Sequence, residues 1–344
     1  MLSWHYQEKG MAMMTKYART KLSRLIAKLP EKAAQSLYEL AQKMFASQIP
    51  EQKPHCPYCG SEIVVKNGHK CHKQEYLCKS CRKTFVSTTN TLMANSHKPR
   101  EVWEELIEDT LSGHSLDFTA QRLRLHHECT FRMRHKFLTA LDRLQNEQDF
   151  HLGEVSELDE TFVLDSYKGT PLQDEVKRDA RKRGEKAVKR GISSEYVCIC
   201  AGVQRGGSAM AKTVNRAKPS AAEIQDVFDG HIAENSLILC DGLKSYNSLD
   251  NIAGCSIHSV KGETKTGFYH LNNVNAFHSF IKSRYQLYRG MATKYLNRYN
   301  TLFAVAYKHA ADYFCQITET LLNVSRVNRF VSYHDLACEA LLCL

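Results

Sequence analysis

Two short cysteine pairs, Cys56-Pro57-Tyr58-Cys59 and Cys78-Lys79-Ser80-Cys81, constrain this chain more than any other feature. Together they form a C-x2-C-x18-C-x2-C pattern, the spacing of a four-thiolate zinc site. Each pair forms a tight knuckle that turns two sulfurs toward one ion. Gly60 follows the first knuckle, where the turn requires a residue free of Cβ strain. Between the pairs, Ile63-Val64-Val65 and Tyr76-Leu77 sit in an alternating stretch long enough for a small hairpin. The pattern predicts a zinc ribbon over residues 54–90, with Cys56, Cys59, Cys78 and Cys81 holding structural Zn²⁺. Four thiolates close the coordination shell and leave no open position for a substrate. The ribbon is therefore a binding module, and any chemistry lies downstream.

A chain of 344 residues is long for one core and predicts two or three domains. Its 47 Lys and Arg against 37 Asp and Glu give a formal charge of +10, which points to a polyanionic partner, nucleic acid by default. The 13 cysteines are too scattered for a disulfide scaffold. Cys198, Cys200 and Cys240 lie in apolar, strand-like runs where a free thiol packs as a small core residue. A reducing cytoplasm is the expected setting. No apolar run reaches the roughly 18 residues of a membrane span, and no signal-peptide core is seen at the N-terminus.

Residues 1–53 read as helices and a linker, broken at Pro30 and closed by Pro50. Residues 98–147 read as three helices. Trp103, Leu106 and Leu111 stripe the first, Gly113 ends it, and Ser115 caps a second that runs through Leu123. A third, from about Glu128, sets Met133, Phe137, Ala140, Leu141 and Leu144 on one face and Arg132, His135, Lys136 and Arg143 on the other. A short helix, a turn and a basic helix predict a helix-turn-helix-like DNA-binding region. From 154 the texture turns to strands: Val155–Val163, 195–203, 208–214 and Leu237–Cys240, with a helix at 220–229 and helices dominating from 272. That order predicts a mixed α/β domain over 152–302 and a helical tail over 303–344. Between the first two strands, Lys177–Arg190 carries eight basic and two acidic residues, over half the surplus of the chain. Such a run reads as a solvated loop, and Arg181, Lys182, Arg183, Lys189 and Arg190 suit DNA phosphates.

Two carboxylates stand out. Asp159 lies inside a predicted strand, in Glu157-Leu158-Asp159-Glu160-Thr161, and Asp241 directly ends the strand Leu237–Cys240. Burying a carboxylate costs desolvation that an ion or partner must offset. Two of them converging on a sheet suit an oxygen-liganded divalent cation such as Mg²⁺ or Mn²⁺. Strand alternation turns Glu160 to the opposite face and out of this set. In the segment 270–288, Val274, Phe277, Ile281, Tyr285 and Tyr288 form an apolar helical stripe, while Asn275, His278 and Lys282 share another face. Asn275 and Lys282 lie roughly 10 Å apart along the axis, so one end of that face reaches a metal cluster and the other a phosphate backbone.

With these motifs in order, the chain resembles a DDE-type insertion-sequence transposase of the group with an N-terminal zinc ribbon. The resemblance runs through the four cysteines with Lys83-Thr84-Phe85, the ELDET segment at 157–161, Lys189-Arg190-Gly191, Asp241-Gly242 with Tyr246, and His270 to Lys282 followed by 294–299. It implies a ribonuclease-H-like catalytic domain in a multidomain α/β chain. It also implies two-metal phosphoryl transfer on double-stranded DNA, acting on the terminal repeats of a bacterial insertion sequence, in a homo-oligomer. By resemblance, Asp159 bridges the metals, Asp241 completes one shell, and Lys282 contacts phosphate. The third acidic position is Asn275, a substitution the group tolerates with the Lys retained. Its amide carbonyl still ligates Mg²⁺ but brings no charge. His278 is either a substitute ligand or a packed helix histidine. Two further readings remain: a catalytically decayed protein that only binds DNA, and a zinc-ribbon nuclease without strand transfer.

Overall fold

The computed structural model describes residues 54–70, 73–147, 151–168, 187–188, 191–251, 254–260, 267–288 and 291–308, with isolated positions 318, 321–322 and 336. The expected helices of 1–53, the basic positions Arg181, Lys182, Arg183, Lys189 and Arg190, and most of the expected 303–344 tail lie outside them. The chain divides into two compact units, Met1–Thr89 with Ser325–Val327 and Asn90–Val324 with Asn328–Leu344.

In the first unit, β1 (Val64–Lys70), β2 (Lys73–Cys78) and β3 (Thr84–Val86) form an antiparallel three-stranded sheet in that order. Both knuckles close with the same bonds: Gly60 N donates to Cys56 O and Arg82 N to Cys78 O, while Cys56 N donates to Ser61 O and Cys78 N to Lys83 O. The fourth residue from each leading cysteine takes positive φ, Gly60 at 74° and Arg82 at 60°. Glycine adopts that conformation freely and arginine does so under strain. Cys56, Cys78 and Phe85 form a miniature core, and the metal-ligand set replaces the apolar mass so small a sheet lacks.

The second unit opens with α1 (Arg100–Leu111), α2 (Leu116–Leu123) and α3 (His127–Glu147). Ser115 caps α2 by accepting Phe118 N at 3.2 Å, and Arg124 in the left-handed region turns the chain into α3. Arg122 joins α2 to α1 through Asp109, with nitrogens 2.8 and 2.9 Å from its two oxygens. The sheet follows: β4 (Val155–Leu164), β5 (Tyr196–Gln204), β6 (Ala209–Arg216), α4 (Ala221–Phe228), β7 (Leu237–Cys240) and β8 (Ser256–Ser259). Its order is β6-β5-β4-β7-β8. The first three strands form an antiparallel meander, and β7 and β8 add in parallel on the other side of β4. This is the ribonuclease-H-like strand order, with β4 at the centre. β8, with only Ile257 as a strong apolar residue, escapes sequence reading.

One face of the sheet, through Leu158, Cys198 and Cys200, packs on α4 and the 3-10 segment Lys244–Asn251. Gly202 permits this close packing: a Cβ there would meet Leu152 Cδ1 at 2.5 Å and Leu158 Cδ2 at 2.9 Å. The other face, through Ala201 and Val203, packs under α5 (Asn272–Leu287) and α6 (Leu296–Lys308). The stripe Val274, Phe277, Ile281 and Tyr288 is buried there as its spacing predicts.

α1 and α3 share this second core: Trp103, Phe137 and Leu141 belong with Phe277 and Phe303 to one apolar cluster. The helices of 98–147 are therefore part of the sheet's own body, and the boundary expected at 302–303 falls inside α6. Leu321 and Leu322 of the expected tail are buried in the same core.

Candidate functional site

The four ribbon sulfurs lie within 4.8 Å of one another. Cys56 Sγ stands 3.5 Å from Cys81 Sγ, and Cys59 Sγ 3.6 Å from Cys78 Sγ. A disulfide needs about 2.05 Å. Tetrahedral zinc with bonds of about 2.3 Å sets its sulfurs about 3.8 Å apart, close to the observed spacing. The backbone N–H of Cys81, 3.5 Å from Cys78 Sγ, draws the Cys78 thiol down to about 6 and favours the thiolate a metal requires. Lys66, Lys70, Lys73, Lys79, Arg82 and Lys83 are exposed along the ribbon, basic positions the cysteine pattern did not single out.

In the second unit, Asp159, Glu160 and Asp241 bring carboxylate oxygens within 4.8 Å of one another. The register explains the meeting. Leu158 pairs with Cys240 in the parallel β4–β7 ladder, so Asp241, one residue past the end of β7, lies level with Asp159. β4 runs on to Leu164 with no strand partner along that edge among the described residues, and the C-terminal end of β7 opens a notch beside it. Asp159 and Glu160 leave β4 on opposite faces, yet both reach this notch. The opposite faces expected from alternation hold, since the β4–β5 ladder continues through both residues, but the exclusion of Glu160 is corrected: past the end of the β4–β7 ladder both side chains bring an oxygen to the cluster.

The acids are held in place. Asp241 Oδ1 accepts Leu243 N at 2.9 Å, and Glu160 Oε2 accepts the hydroxyl of fully buried Tyr246 at 3.1 Å. Burial, then the Glu160 and Asp241 charges, push Asp159 up to about 7. Burial and Asp241 likewise raise Glu160. Among the described residues no Lys or Arg forms an ion pair with any of the three. A divalent cation with oxygen ligands would relieve this crowding, and the donor set suits Mg²⁺ or Mn²⁺.

α5 faces the cluster. His278 Nδ1 is 3.7 Å from Asp159 Oδ2, while His278 Nε2 is buried without a hydrogen-bond partner. Burial and the charge of Lys282 hold His278 down to about 4, so its imidazole is neutral. Lys282 is exposed, and its charge reaches both Asp159 and His278. Asn275 is exposed two turns before Lys282, and its side chain makes no hydrogen bond among the described residues. The helix is pinned from β4: Glu157, fully buried, accepts Asn273 N at 2.8 Å and Val274 N at 3.1 Å. Arg205 Nε supports Glu157 at 2.8 Å.

The basic positions on α3 are not a common surface. Every residue from Met133 to Leu141 is buried, because α1 and α6 cover that part of the helix. His135 Nδ1 accepts from Arg298 Nη1 at 2.9 Å among Phe131 and Tyr295, and Lys136 Nζ donates to Ala94 O at 2.8 Å. His135 and Lys136 are thus withdrawn from DNA contact, in correction of the helical-face reading. Arg132 is exposed and ion-paired to Glu128.

Strand order and the central acidic notch define a ribonuclease-H-like domain. Residues 151–307 match the family model described as an ISXO2-like transposase domain. An uncharacterised protein in the transposable element ISH50 of Halobacterium salinarum is 25% identical over 279 residues, covering 78% of this chain and 91% of that protein. That relative is archaeal, whereas the sequence resemblance pointed to a bacterial element. Among solved structures, a pre-cleavage Mos1 transpososome aligns over 90% of this chain and 91% of its own at 10% identity and a TM-score of 0.26. A Mos1 mariner paired-end complex with Mn aligns over 65% and 75%, at 10% identity and a TM-score of 0.26. At such scores the likeness carries no weight, and the fold stands on its own strand order. No helix among the described residues is long and apolar enough to cross a membrane.

Proposed function

We propose that the protein is the active transposase of an insertion element, which binds the terminal repeats of its element and catalyses metal-dependent DNA cleavage and strand transfer. The observation that carries this reading is the meeting of Asp159 and Asp241 at the β4–β7 notch, inside a domain that matches a transposase family. Asp159 and Asp241 would hold Mg²⁺ or Mn²⁺, with the Asn275 carbonyl of α5 as a neutral ligand. Metal bound there supplies Lewis-acid stabilisation of phosphate oxygens and activates the attacking hydroxyl. Lys282 binds phosphate as a point charge beside the acids. Neutral His278 packs against Asp159 and keeps that carboxylate turned toward the notch.

Further groups outside the acid cluster bind the DNA. Zn²⁺ on the four cysteines shapes the ribbon, whose exposed lysines contact phosphates, and Arg132 with the run through Arg181, Lys182, Arg183, Lys189 and Arg190 adds further contacts. The chain works as a homo-oligomer on paired DNA ends.

Incubating the zinc-loaded protein with labelled DNA carrying one element end tests this reading. Strand cleavage at the repeat boundary with Mg²⁺ or Mn²⁺, and none with chelator, is the expected result. Tight end binding without cleavage under any metal would instead identify a protein that only binds DNA, the reading that exposed, unpartnered Asn275 favours.

A further inference from the structure

The three acids of the notch do not match a set in which the third carboxylate comes from the helix. α5 offers an exposed amide at Asn275 and an imidazole at His278, neither of which brings negative charge, so Asp159 and Asp241 counted alone supply only two carboxylates. Glu160 stands in the same 4.8 Å cluster. Tyr246 donates to Glu160 Oε2, which leaves Oε1 without a hydrogen bond among the described residues. Asp241 is arranged in the same way, with Oδ1 held by Leu243 N and Oδ2 left over. Each of these carboxylates therefore has one oxygen fixed by the protein and one remaining.

A second feature points to a ligand here. His278 is only 7% exposed, lies against Asp159, and leaves Nε2 with no hydrogen-bond partner. A buried imidazole with an unpartnered nitrogen, whose Nδ1 faces the crowded carboxylates, is costly, and a cation with its bound waters would offset the charge of all three acids.

We propose that Glu160 is the third carboxylate ligand of the divalent-cation site, supplying from β4 the negative charge that Asn275 does not bring from α5. This rests on the metal-site reading of the notch given above. Asp159, Glu160 and Asp241 then balance a pair of divalent cations as fully as a three-acid set with its last member on the helix. The substitution at Asn275 leaves the charge of the site intact.

Mn²⁺ titration of the full zinc-loaded chain, followed by electron paramagnetic resonance of the free ion, tests this without any DNA or turnover. Glu160→Gln is expected to weaken Mn²⁺ binding by about tenfold or more, the scale on which even outer partners of metal ligands act. Asn275→Ala should weaken it less than Glu160→Gln. Tyr246→Phe separates ligation from mere support of the fold: it removes the hydroxyl but keeps the carboxylate, and it should cost less Mn²⁺ affinity than Glu160→Gln. Binding by Glu160→Gln within about twofold of wild type, with binding lost in Asp159→Asn, overturns the role of Glu160 and leaves the metal site standing. Wild type that binds Mn²⁺ no better than Asp159→Asn overturns both.

Discussion

Glu157 on β4 accepts the backbone N–H of Asn273 at 2.8 Å, across 116 residues of chain. Leu271, at the start of α5, offers no capping side chain. The strand that carries Asp159 therefore caps the helix that carries Asn275, His278 and Lys282. A carboxylate at a helix N-terminus is favoured by the free N–H groups and by the helix dipole, and here it also fixes where the helix lies. The alignment of α5 with the notch follows from this contact.

Replacing Glu157 tests that alignment. Glu157→Ala leaves two helix N–H groups and Arg205 without their acceptor, and is expected to cost roughly 3–5 kcal/mol. Glu157→Gln keeps the shape and one acceptor oxygen, so its cost should be smaller, roughly 1–3 kcal/mol. Urea unfolding of the three proteins measures both. Equal stability of Glu157→Ala and wild type would remove the cap from the account.

Metal loss should separate the two units. Cys78→Ser removes the sulfur best disposed to ionise, and zinc bound per chain is expected to fall to background by metal analysis. Weaker binding to DNA ends should accompany it. The Mn²⁺ affinity of the acidic notch should not change, since none of its ligands lies in the ribbon. Unchanged zinc content in the variant would mean that the four sulfurs do not share an ion.

His135 gives the fold a distinct acid sensitivity. Burial, then Arg298, Arg134 and Lys294, hold it down to about 3 from an ordinary 6.5. Between those values the unfolded chain takes up a proton that the folded protein refuses. The stability contributed by neutral His135 is thus full above about pH 6.5 and is lost as pH falls toward 3. At pH 4 the loss amounts to roughly 3 kcal/mol. His135→Gln, which cannot take up that proton, should show a flatter stability profile from pH 6.5 to 4 than wild type by urea unfolding. Identical profiles would place the titration elsewhere.

Much of this was legible in the chain. The cysteine spacing carried the ribbon, and Leu237–Cys240 followed by Asp241 gave both a strand and the acid at its end. Ser115 and Gly113 marked the ends of α1 and α2 because caps and positive φ are local requirements. What the sequence hid depends on contacts distant in the chain. Glu160 joins Asp159 only because β7 stops short beside β4, which no local pattern records. His135 and Lys136 look like a solvated basic face until α1 and α6 cover them. The role of Glu157 was equally invisible, since its partners lie on α5.

The central claim is that Asp159 and Asp241 form the metal-dependent site of a DNA strand-transfer enzyme. The most direct measurement is a joining assay with pre-cleaved element ends and target plasmid in Mg²⁺ or Mn²⁺, comparing wild type with Asp159→Asn and Asp241→Asn. The expected result is joined product from wild type only, with end binding by both variants within about twofold of wild type. Joined product from either variant at the wild-type rate would contradict the account.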